Sequence, residues 1–470
     1  MTEAQPVPQL EEKQILKIAL TALSGTTIEW YDFFIYATAA ALVFPSLFFA
    51  SDVPPLVGVM LSFSTFAVGF IARPIGGVVF GHWGDRVGRK RALVLALMTM
   101  GVATTLIGCL PTYQSVGWFA PLMLVVLRFA QGLAIGGQWG GAVLLITETA
   151  PKEKRGYYGS FAQVGAPGGV ILANLIFLMV TASVSEEAFM AWGWRIPFLL
   201  SIGLIFLAMY IELGLQDSTA FEELKAVKKK QDQEAARQRA QERGESLAEA
   251  EQQLLQERTP SPVLEALKTY TKTIALAAGA MINIQVFFYI LIAFSIVYGT
   301  NEASLGLDRS MMLAAVLIAN VVMIPWLLLS GAYSDKRGRR GVSIAGTVLA
   351  GIWGFALFPL IDTGSFLWIT VAVTVGMGSV AMQYGPQAAF YSELFTTKMR
   401  YSGMSMSYQI GAIVGGAMAP IIATAILVRF DSTIGISIYI ALSAVISLVS
   451  VILLQETSNT DMVDAKAEGA

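Results

Sequence analysis

The sequence predicts an all-α integral membrane protein with twelve transmembrane helices in two six-helix bundles related by pseudo-twofold symmetry. Three observations predict this class. The 470 residues are 55% hydrophobic and only 14% charged, whereas soluble domains carry roughly a quarter of charged residues. Twelve segments are apolar over the roughly 20 residues that a spanning helix needs. A spaced signature of polar residues also occurs twice, about half a sequence apart.

Each predicted span must be a helix, because lipid offers no partner for an unpaired backbone group. The spans of the first half are 18–48, 56–81, 91–111, 118–148, 157–182 and 194–213. Those of the second half are 272–298, 311–333, 341–361, 366–393, 402–428 and 434–454. The bundles therefore cover 18–213 and 272–455. The polar start of the chain does not read as a cleavable signal peptide, so we expect the first span to direct insertion.

Residues 214–271 are predicted to be a charged linker between the bundles. This stretch is rich in Glu, Gln, Ala, Lys and Arg, a composition that favours solvated helix and cannot bury a core. We expect a linker here and no regulatory domain.

The basic residues of the short loops predict the orientation. One set of loops carries thirteen lysines and arginines, and the alternate set carries three. Because basic loops stay in the cytoplasm, we expect the tails 1–17 and 456–470 to be cytoplasmic in a multi-pass protein of the cell membrane.

Two repeated motifs lie at the edges of apolar runs, and both predict gating charges. Gln138-Trp139-Gly140 is followed by Glu148 and Arg155, and Gln383-Tyr384-Gly385 is followed at identical spacings by Glu393 and Arg400. The loop from Gly81 to Lys90, with Asp85, Arg86 and Arg89, matches a second loop with Asp335, Arg337 and Arg339. An aspartate in such a loop can cap a neighbouring helix, and the arginines can pair with acidic groups at the same depth. We expect these charges to hold the bundles in one conformation and release them in another.

The sequence resembles the major facilitator superfamily, and within it the metabolite:proton symporter family. The loop from Gly81 to Lys90 matches the superfamily signature between spans two and three. The narrower resemblance is carried by Glu29-Trp30-Tyr31-Asp32-Phe33, Arg73-Pro74-Ile75-Gly76-Gly77, Arg128-Phe-Ala-Gln131-Gly132, Trp192 to Phe198, Gln383 to Pro386 and Arg400 to Gly403. The resemblance implies proton-coupled import of a small organic acid or zwitterion. At Gln138 the family pattern usually has glutamate.

Asp32 and Glu29 are the candidate proton-coupling residues. They lie three residues apart in the first span and share a helix face with Tyr36. Ionisable groups inside a span are costly and so are functional candidates by default. A carboxylate shielded from water can take up and release a proton near neutral pH. The alternative is a permanently ionised partner for Arg73 or Arg128.

Arg128 is the candidate for the acid group of the substrate, because its planar fork of donors fits a carboxylate. Gln131 and Gln138 lie on its side of span four. In the alternative, Arg128 stays paired to Asp32 and never meets substrate. Arg73, nearer the cytoplasmic end, is expected to be structural.

Span ten carries a polar stripe at four-residue spacing, which should face the cavity and not lipid. The remaining candidate substrate-binding residues are Tyr36, Gln383, Tyr384, Gln387, Asn283, Gln285 and Gln409. A single amide in a membrane more commonly bonds a neighbouring helix, so that alternative stays open for each.

The composition also excludes several functions. Cys109 and His82 are the only residues of their types, so the chain can assemble neither a His/Cys metal site nor a histidine triad. It has no phosphate loop of the Walker type, and its near-zero net charge implies no nucleic-acid partner. We therefore expect a monomeric transporter with no catalytic residues and no cofactor, driven by the proton gradient. A uniporter or exporter of the same fold, or a non-transporting nutrient sensor, are the alternatives.

Overall fold

The computed structural model describes residues 12–458 except 88, 137, most of 217–261, 303, 397 and 398. The side chains of these residues are described too, except those of 81–93, 138, 211–216 and 262–265. The predicted site residues Asp85, Arg86, Arg89 and Gln138 therefore lie outside the described side chains. So does most of the predicted linker.

Six long helices make up the first half of the chain. They are α1 (Glu12–Leu42), α2 (Pro55–Val87), α3 (Arg89–Cys109), α4 (Phe119–Ile135, continued by Gln138–Thr149), α5 (Arg155–Ser183) and α6 (Ile196–Gln216). Short helices Phe44–Leu47, Tyr113–Val116 and Glu186–Ala191 lie in the connections.

Six more helices make up the second half, after a short helix Pro262–Thr269. They are α7 (Thr271–Tyr289, Ile290–Phe294 and Ser295–Thr300), α8 (Arg309–Arg337), α9 (Arg339–Ile361), α10 (Phe366–Glu393), α11 (Arg400–Gly411, Ala412–Ala417 and Ala419–Phe430) and α12 (Ile434–Leu453). Ten helical segments are long and apolar enough to cross a membrane, and α1 and α3 complete the twelve. The described part of the chain contains no strand. The predicted fold class is confirmed.

The two halves pack their helices in the same pattern. In the first half α1 packs against α5 and α6, α2 against α4, and α3 against α4 and α6. In the second half α7 packs against α11 and α12, α8 against α10, and α9 against α10 and α12. Between the halves α5 packs on α8 and α2 on α11. Exchanging the halves converts one of these contacts into the other, as a pseudo-twofold axis requires.

Glycines allow the closest helix pairs to touch along their backbones. A Cβ added to Gly132 of α4 would lie 2.2 Å from the carbonyl oxygen of Gly69 in α2. A Cβ at Gly169 of α5 would lie 2.6 Å from the Trp30 backbone in α1. Gly411 of α11 is equally tight against α7. The small residues of the sequence thus lie at the contacts that join α1, α2 and α7 to their neighbours.

Two π-helical segments interrupt the second half. They are Ile290–Phe294 in α7 and Ala412–Ala417 in α11, and both pack against helices of the first half. Such segments are found frequently at functional sites, and these two flank the interface between the bundles.

Candidate functional site

An aromatic cavity lies between the two bundles. It is lined by Trp30, Phe34, Ala166, Ile284, Gln285, Phe288, Tyr289, Val380, Tyr384 and Tyr408. These residues come from α1 and α5 of one bundle and from α7, α10 and α11 of the other. The space inside it is small, about 20 Å³, which is room for a water molecule. A mostly apolar wall with a few polar groups is typical of small-molecule sites.

The predicted site residues Gln285 and Tyr384 line this cavity, whereas its remaining wall was not in the predicted set. Trp30 and Phe34 are four residues apart on one face of α1, but an aromatic stripe of this kind is more often core than site. Helical spacing identifies the face, and it does not identify what stands opposite that face.

A continuous hydrogen-bonded chain joins Asp32 to Arg128 within the first bundle. The hydroxyl of Thr104 in α3 lies 3.1 Å from Oδ2 of Asp32. Gln131 Nε2 donates to that hydroxyl at 2.6 Å, and Arg128 Nη1 donates to Gln131 Oε1 at 3.1 Å. The carboxylate and the guanidinium are therefore connected through two side chains and not by a direct ion pair. Thr104 carried no sequence signal, because a lone hydroxyl in an apolar span is common.

Asp32 is fully buried, and one of its oxygens remains unpaired. Among the described residues Oδ1 has no partner within ordinary hydrogen-bond geometry, and the hydroxyl of Ser201 in α6 is the donor that lies beside the carboxylate. The second predicted carboxylate, Glu29, is half-buried, one turn earlier in α1.

Aromatic rings enclose the Arg128 guanidinium. Its central carbon lies 4.1 Å from the ring centroid of Phe33, 4.3 Å from that of Tyr36 and 4.6 Å from that of Phe66. Tyr36 in turn exchanges a 2.6 Å hydrogen bond with Thr65. Cation–π contacts stabilise a desolvated guanidinium, so Tyr36 supports Arg128 and does not line the cavity.

Several predicted amides bond neighbouring helices. Gln383 donates to Asn283 Oδ1 at 3.1 Å and accepts from Thr347 at 3.0 Å, which places both amides inside the second bundle. Gln387 accepts from Gln163 of α5 at 3.2 Å, across the bundle interface.

Gln409 of α11 also crosses the bundle interface. Its Nε2 donates to the carbonyl of Gly136 in α4 at 3.3 Å, while its Oε1 is buried without a partner. With Gln387, this amide connects the two halves beside the cavity.

The duplicated signature pairs with itself across the two halves. Arg155 Nη1 lies 3.1 Å from Glu393 Oε1, and Arg400 Nη1 lies 3.4 Å from Glu148 Oε1. Each arginine also donates Nε to a carbonyl eight residues earlier in the chain, at 3.3 Å and 2.8 Å. Both ion pairs join one bundle to the other, so the repeat encodes two reciprocal ion pairs between the bundles.

The second repeated motif adds to these ion pairs a cap on α5 and a second arginine that shares Glu393. Asp335 accepts hydrogen bonds from the backbone N–H groups of Gly156 and Tyr157, at 2.7 and 2.9 Å, where α5 begins. Arg339 bonds both Asp335 and Glu393, at 2.6 and 3.2 Å. We call the set Glu148, Arg155, Asp335, Arg339, Glu393 and Arg400 the latch. Arg337 is exposed and lies outside it.

The residues that follow α12 strengthen the latch. Oxygens of Glu456 accept from the backbone N–H groups of Arg339 and Arg340 at 2.7 and 3.0 Å, capping α9, and Thr457 donates to Glu393 at 2.7 Å. Burial opposes ionisation of Glu456, but the backbone donors prevail and hold its pKa below the ordinary value.

A further ion pair joins the bundles where α8 begins. Arg309 makes a two-pronged contact with Glu186, at 3.1 and 2.9 Å. Since α8 runs from Arg309 to the latch residues at its other end, the cavity lies between two sets of inter-bundle contacts.

Residues 18–467 match the family model described as sugar (and other) transporter. The chain belongs to this family of the major facilitator superfamily. Its curated relatives are transporters and not enzymes, so its function is transport of a metabolite across a membrane.

Two relatives from Escherichia coli show how far the similarity extends. The inner membrane metabolite transport protein YhjE is 37% identical over 95% of each chain. The shikimate transporter is 36% identical over 94% of each chain. A more distant relative, the proline/betaine transporter, is 26% identical over 94% of this chain and 84% of its own.

Solved structures support the same fold. The D-xylose–proton symporter has a TM-score of 0.70 at 18% identity, covering 95% of this chain and 99% of that one. The xylose transporter XylE of E. coli, in a partially occluded inward-open conformation, has a TM-score of 0.69 at 17% identity. It covers 96% of this chain and 100% of its own.

Proposed function

We propose that this transporter is a proton-coupled symporter, which takes up a small organic acid or zwitterion by alternating access. The observation that carries the proposal is the buried chain from Asp32 through Thr104 and Gln131 to Arg128. An ionisable pair sheltered from water is costly, and in a membrane protein it commonly serves a proton or substrate pathway.

Thr104 provides a physical route from protonation to helix position. Its hydroxyl can donate a hydrogen bond either to Asp32 Oδ2, at 3.1 Å, or to the carbonyl of Met100, at 2.8 Å. An ionised Asp32 accepts a hydrogen bond from the Thr104 hydroxyl. A protonated Asp32 donates a hydrogen bond to that hydroxyl, which then donates to the carbonyl of Met100. Because Gln131 bonds the same hydroxyl, the change reaches Arg128 in α4.

The contacts at the two ends of the cavity suit rocking of one bundle against the other. The latch joins the halves at one end, and the pair Arg309–Glu186 joins them at the other. Opening one end breaks the ion pairs of that end and leaves those of the other end in place. The distribution of basic loop residues supports a cytoplasmic location for the latch and for both termini.

The substrate class follows from charge. Arg73 and Arg128 are buried near the cavity, and Asp32 is the one carboxylate buried at their depth among the described residues. An excess of buried positive charge favours a substrate with a carboxylate. Shikimate, proline and betaine, after which two of the relatives are named, all carry a carboxylate. We expect the single chain to suffice for transport.

Counterflow in proteoliposomes tests the proposal. Proteoliposomes that contain the purified protein would be loaded in turn with shikimate, proline, glycine betaine, a monocarboxylate and a dicarboxylate. Uptake of the same compound in labelled form would then be followed. Symport predicts counterflow with at least one of them, and accumulation under an inward proton gradient that a protonophore abolishes. Counterflow without proton-driven accumulation would favour the uniporter or exporter. Binding without flux would favour the sensor.

A further inference from the structure

Arg73 of α2 is a buried cation that neither the latch nor the Asp32 chain uses. Its side chain is 1% exposed. The central carbon of its guanidinium lies 4.1 Å from the ring centroid of Phe33, 4.7 Å from that of Phe70 and 5.3 Å from that of Trp30. The rings hold the group in place, but they accept none of its hydrogen bonds in the plane of the guanidinium.

Two donors of Arg73 are unsatisfied. Nε and Nη2 are buried, and no described residue accepts a hydrogen bond from either. A buried donor without an acceptor costs free energy, so native proteins rarely retain one without a reason. Nε–H and the neighbouring Nη2–H form one edge of the guanidinium. Two parallel N–H groups on one edge match the two oxygens of a carboxylate.

The guanidinium of Arg73 lies next to the wall of the cavity. Trp30, which stacks near the guanidinium, is part of the cavity wall. Phe70, which contacts the guanidinium, packs with its ring centroid 5.5 Å from that of Tyr289 in the cavity wall. Tyr408 and Tyr384, which also line the cavity, are within electrostatic reach of Arg73. Asp32, one residue before Phe33, bonds Thr104 instead.

Arg128 is less available to a ligand. Its Nη1 donates to Gln131, and its Nε approaches the carbonyl of Phe66 at 3.5 Å. Only Nη2 is without a partner among the described residues, so Arg128 cannot offer the paired Nε and Nη2 edge that Arg73 offers. None of the three rings around it lines the cavity. The ring centroid of Phe33 lies 4.1 Å from the guanidinium carbon of Arg73 and 4.1 Å from that of Arg128. One ring therefore contacts both cations.

We propose that Arg73 binds the carboxylate of the substrate through Nε and Nη2, while Arg128 remains in the proton-coupling chain with Asp32. This inference rests on the proposed function and deepens it, because it requires a substrate with a free carboxylate. The competing explanation is that Arg73 only holds α1 to α2 through its aromatic contacts.

The test compares an acid with its methyl ester, which has nearly the same shape without the charge. Dissociation constants for shikimate and methyl shikimate would be measured by competition against counterflow. Proline and proline methyl ester replace them if the wild type carries proline. The variants are Arg73→Gln and Arg128→Gln, with Arg429→Gln as the control at an exposed arginine.

We expect Arg73→Gln to weaken binding of the acid by roughly 30-fold or more, since it removes one partner of a buried charged pair. Binding of the ester should be unchanged, which also reports that the variant is folded. Arg128→Gln should keep the preference for acid over ester and lose proton-driven accumulation. Arg429→Gln should behave as wild type.

Two results would overturn the inference alone. One is an unchanged preference for acid over ester in Arg73→Gln, and the other is loss of that preference in Arg128→Gln instead. If Arg73→Gln aggregates, Arg73→Met, whose apolar side chain suits the aromatic surroundings, is read by the same criteria. If wild-type protein neither binds nor exchanges any compound of the panel, the proposed function is wrong and this inference falls with it.

Discussion

At the scale of single residues, Asp32 provides the most direct test of proton coupling. Asp32→Asn keeps the size and polarity of the side chain but can no longer ionise. We expect the variant to lose proton-driven accumulation and to retain exchange of substrate across the membrane. Both would be measured in proteoliposomes, with and without a pH gradient. Accumulation at the wild-type level would exclude Asp32 as the proton carrier.

Thr104 offers a second residue-scale test, with a matched control next to it. Thr104→Val preserves shape and removes the hydroxyl that joins Asp32 to Gln131. A hydrogen bond to a charged group contributes about 1.5–3 kcal/mol, so proton-driven accumulation should fall by roughly tenfold or more while exchange persists. Thr105 bonds only the carbonyl of Gly101 in its own helix. Thr105→Val should therefore leave both activities unchanged, and equal losses in the two variants would contradict the proposed chain.

Asp32, Arg128 and Gln131 could be predicted from the sequence because charges and amides are conspicuous within apolar spans. Thr104 and Trp30 could not, since hydroxyls and aromatic rings occur throughout membrane helices. The sequence also favoured a structural role for Arg73, because a residue beside Pro74 at the end of a span resembles a helix-end feature. Only the assembled bundles reveal its unpaired donors beside the cavity.

At the scale of helices, the contact between α2 and α4 should tolerate no side chain. Gly132→Ala would place a methyl group 2.2 Å from the carbonyl oxygen of Gly69, and overpacking of this kind costs about 1–3 kcal/mol. Nothing lies within 4 Å of a Cβ added to Gly141 in the same helix. Thermal unfolding in detergent should show a lower Tm for Gly132→Ala and little change for Gly141→Ala. Similar Tm values for the two variants would argue against the close approach.

The cap at the start of α9 predicts a pH-dependent stability. Because backbone donors hold the folded pKa of Glu456 below its ordinary value of 4.5, its contribution is complete above that value and is lost as the pH falls through the folded pKa. Glu456→Gln should lower stability at neutral pH by about 1 kcal/mol, as loss of a helix cap does. The gap from wild type should stay constant from about pH 6 to 8 and narrow towards about pH 3.5. Gln455→Ala, at the exposed neighbouring position, should show no such dependence, and a gap that widened in acid would contradict the assignment.

Helix positions followed closely from hydropathy, whereas helix ends did not. The span predicted at 366–393 coincides with α10, Phe366–Glu393. The first helix already includes Glu12, ahead of the predicted start at 18, since its initial turns are amphipathic and not apolar. Glu456 and Thr457 fall in the predicted C-terminal tail, yet they bond α9 and the latch. Hydropathy reports which segments can lie in lipid, and it does not report such polar contacts outside the apolar runs.

At the scale of the whole molecule, the duplicated signature predicted a pair of related halves, and its offset explains how they join. Arg400 follows Arg155 by 245 residues, and Glu393 follows Glu148 by the same 245. The reciprocal ion pairs follow from this equality and a pseudo-twofold axis. The sequence could not predict that the two pairs differ in burial. Glu393 is fully buried in its pair, whereas the Glu148 side chain is 35% exposed.

This asymmetry makes the two glutamates matched probes of the latch. Glu393 accepts hydrogen bonds from Arg155, Arg339 and Thr457. Glu393→Gln therefore leaves the buried guanidinium of Arg155 without its carboxylate partner, at a cost of about 3–5 kcal/mol, whereas Arg339 keeps its ion pair with Asp335. Glu148→Gln removes a partly exposed pair, worth about 1 kcal/mol or less. The latch end should therefore open far more often in Glu393→Gln. In a Cys109→Ser background, Ser160→Cys places a buried thiol beside Gly331 at the α5–α8 contact. Its labelling by a membrane-permeant maleimide should accelerate strongly with Glu393→Gln and only slightly with Glu148→Gln. Equal acceleration would mean that the two pairs carry the latch equally, and no acceleration in either would mean that packing of α5 on α8 holds this end closed without them.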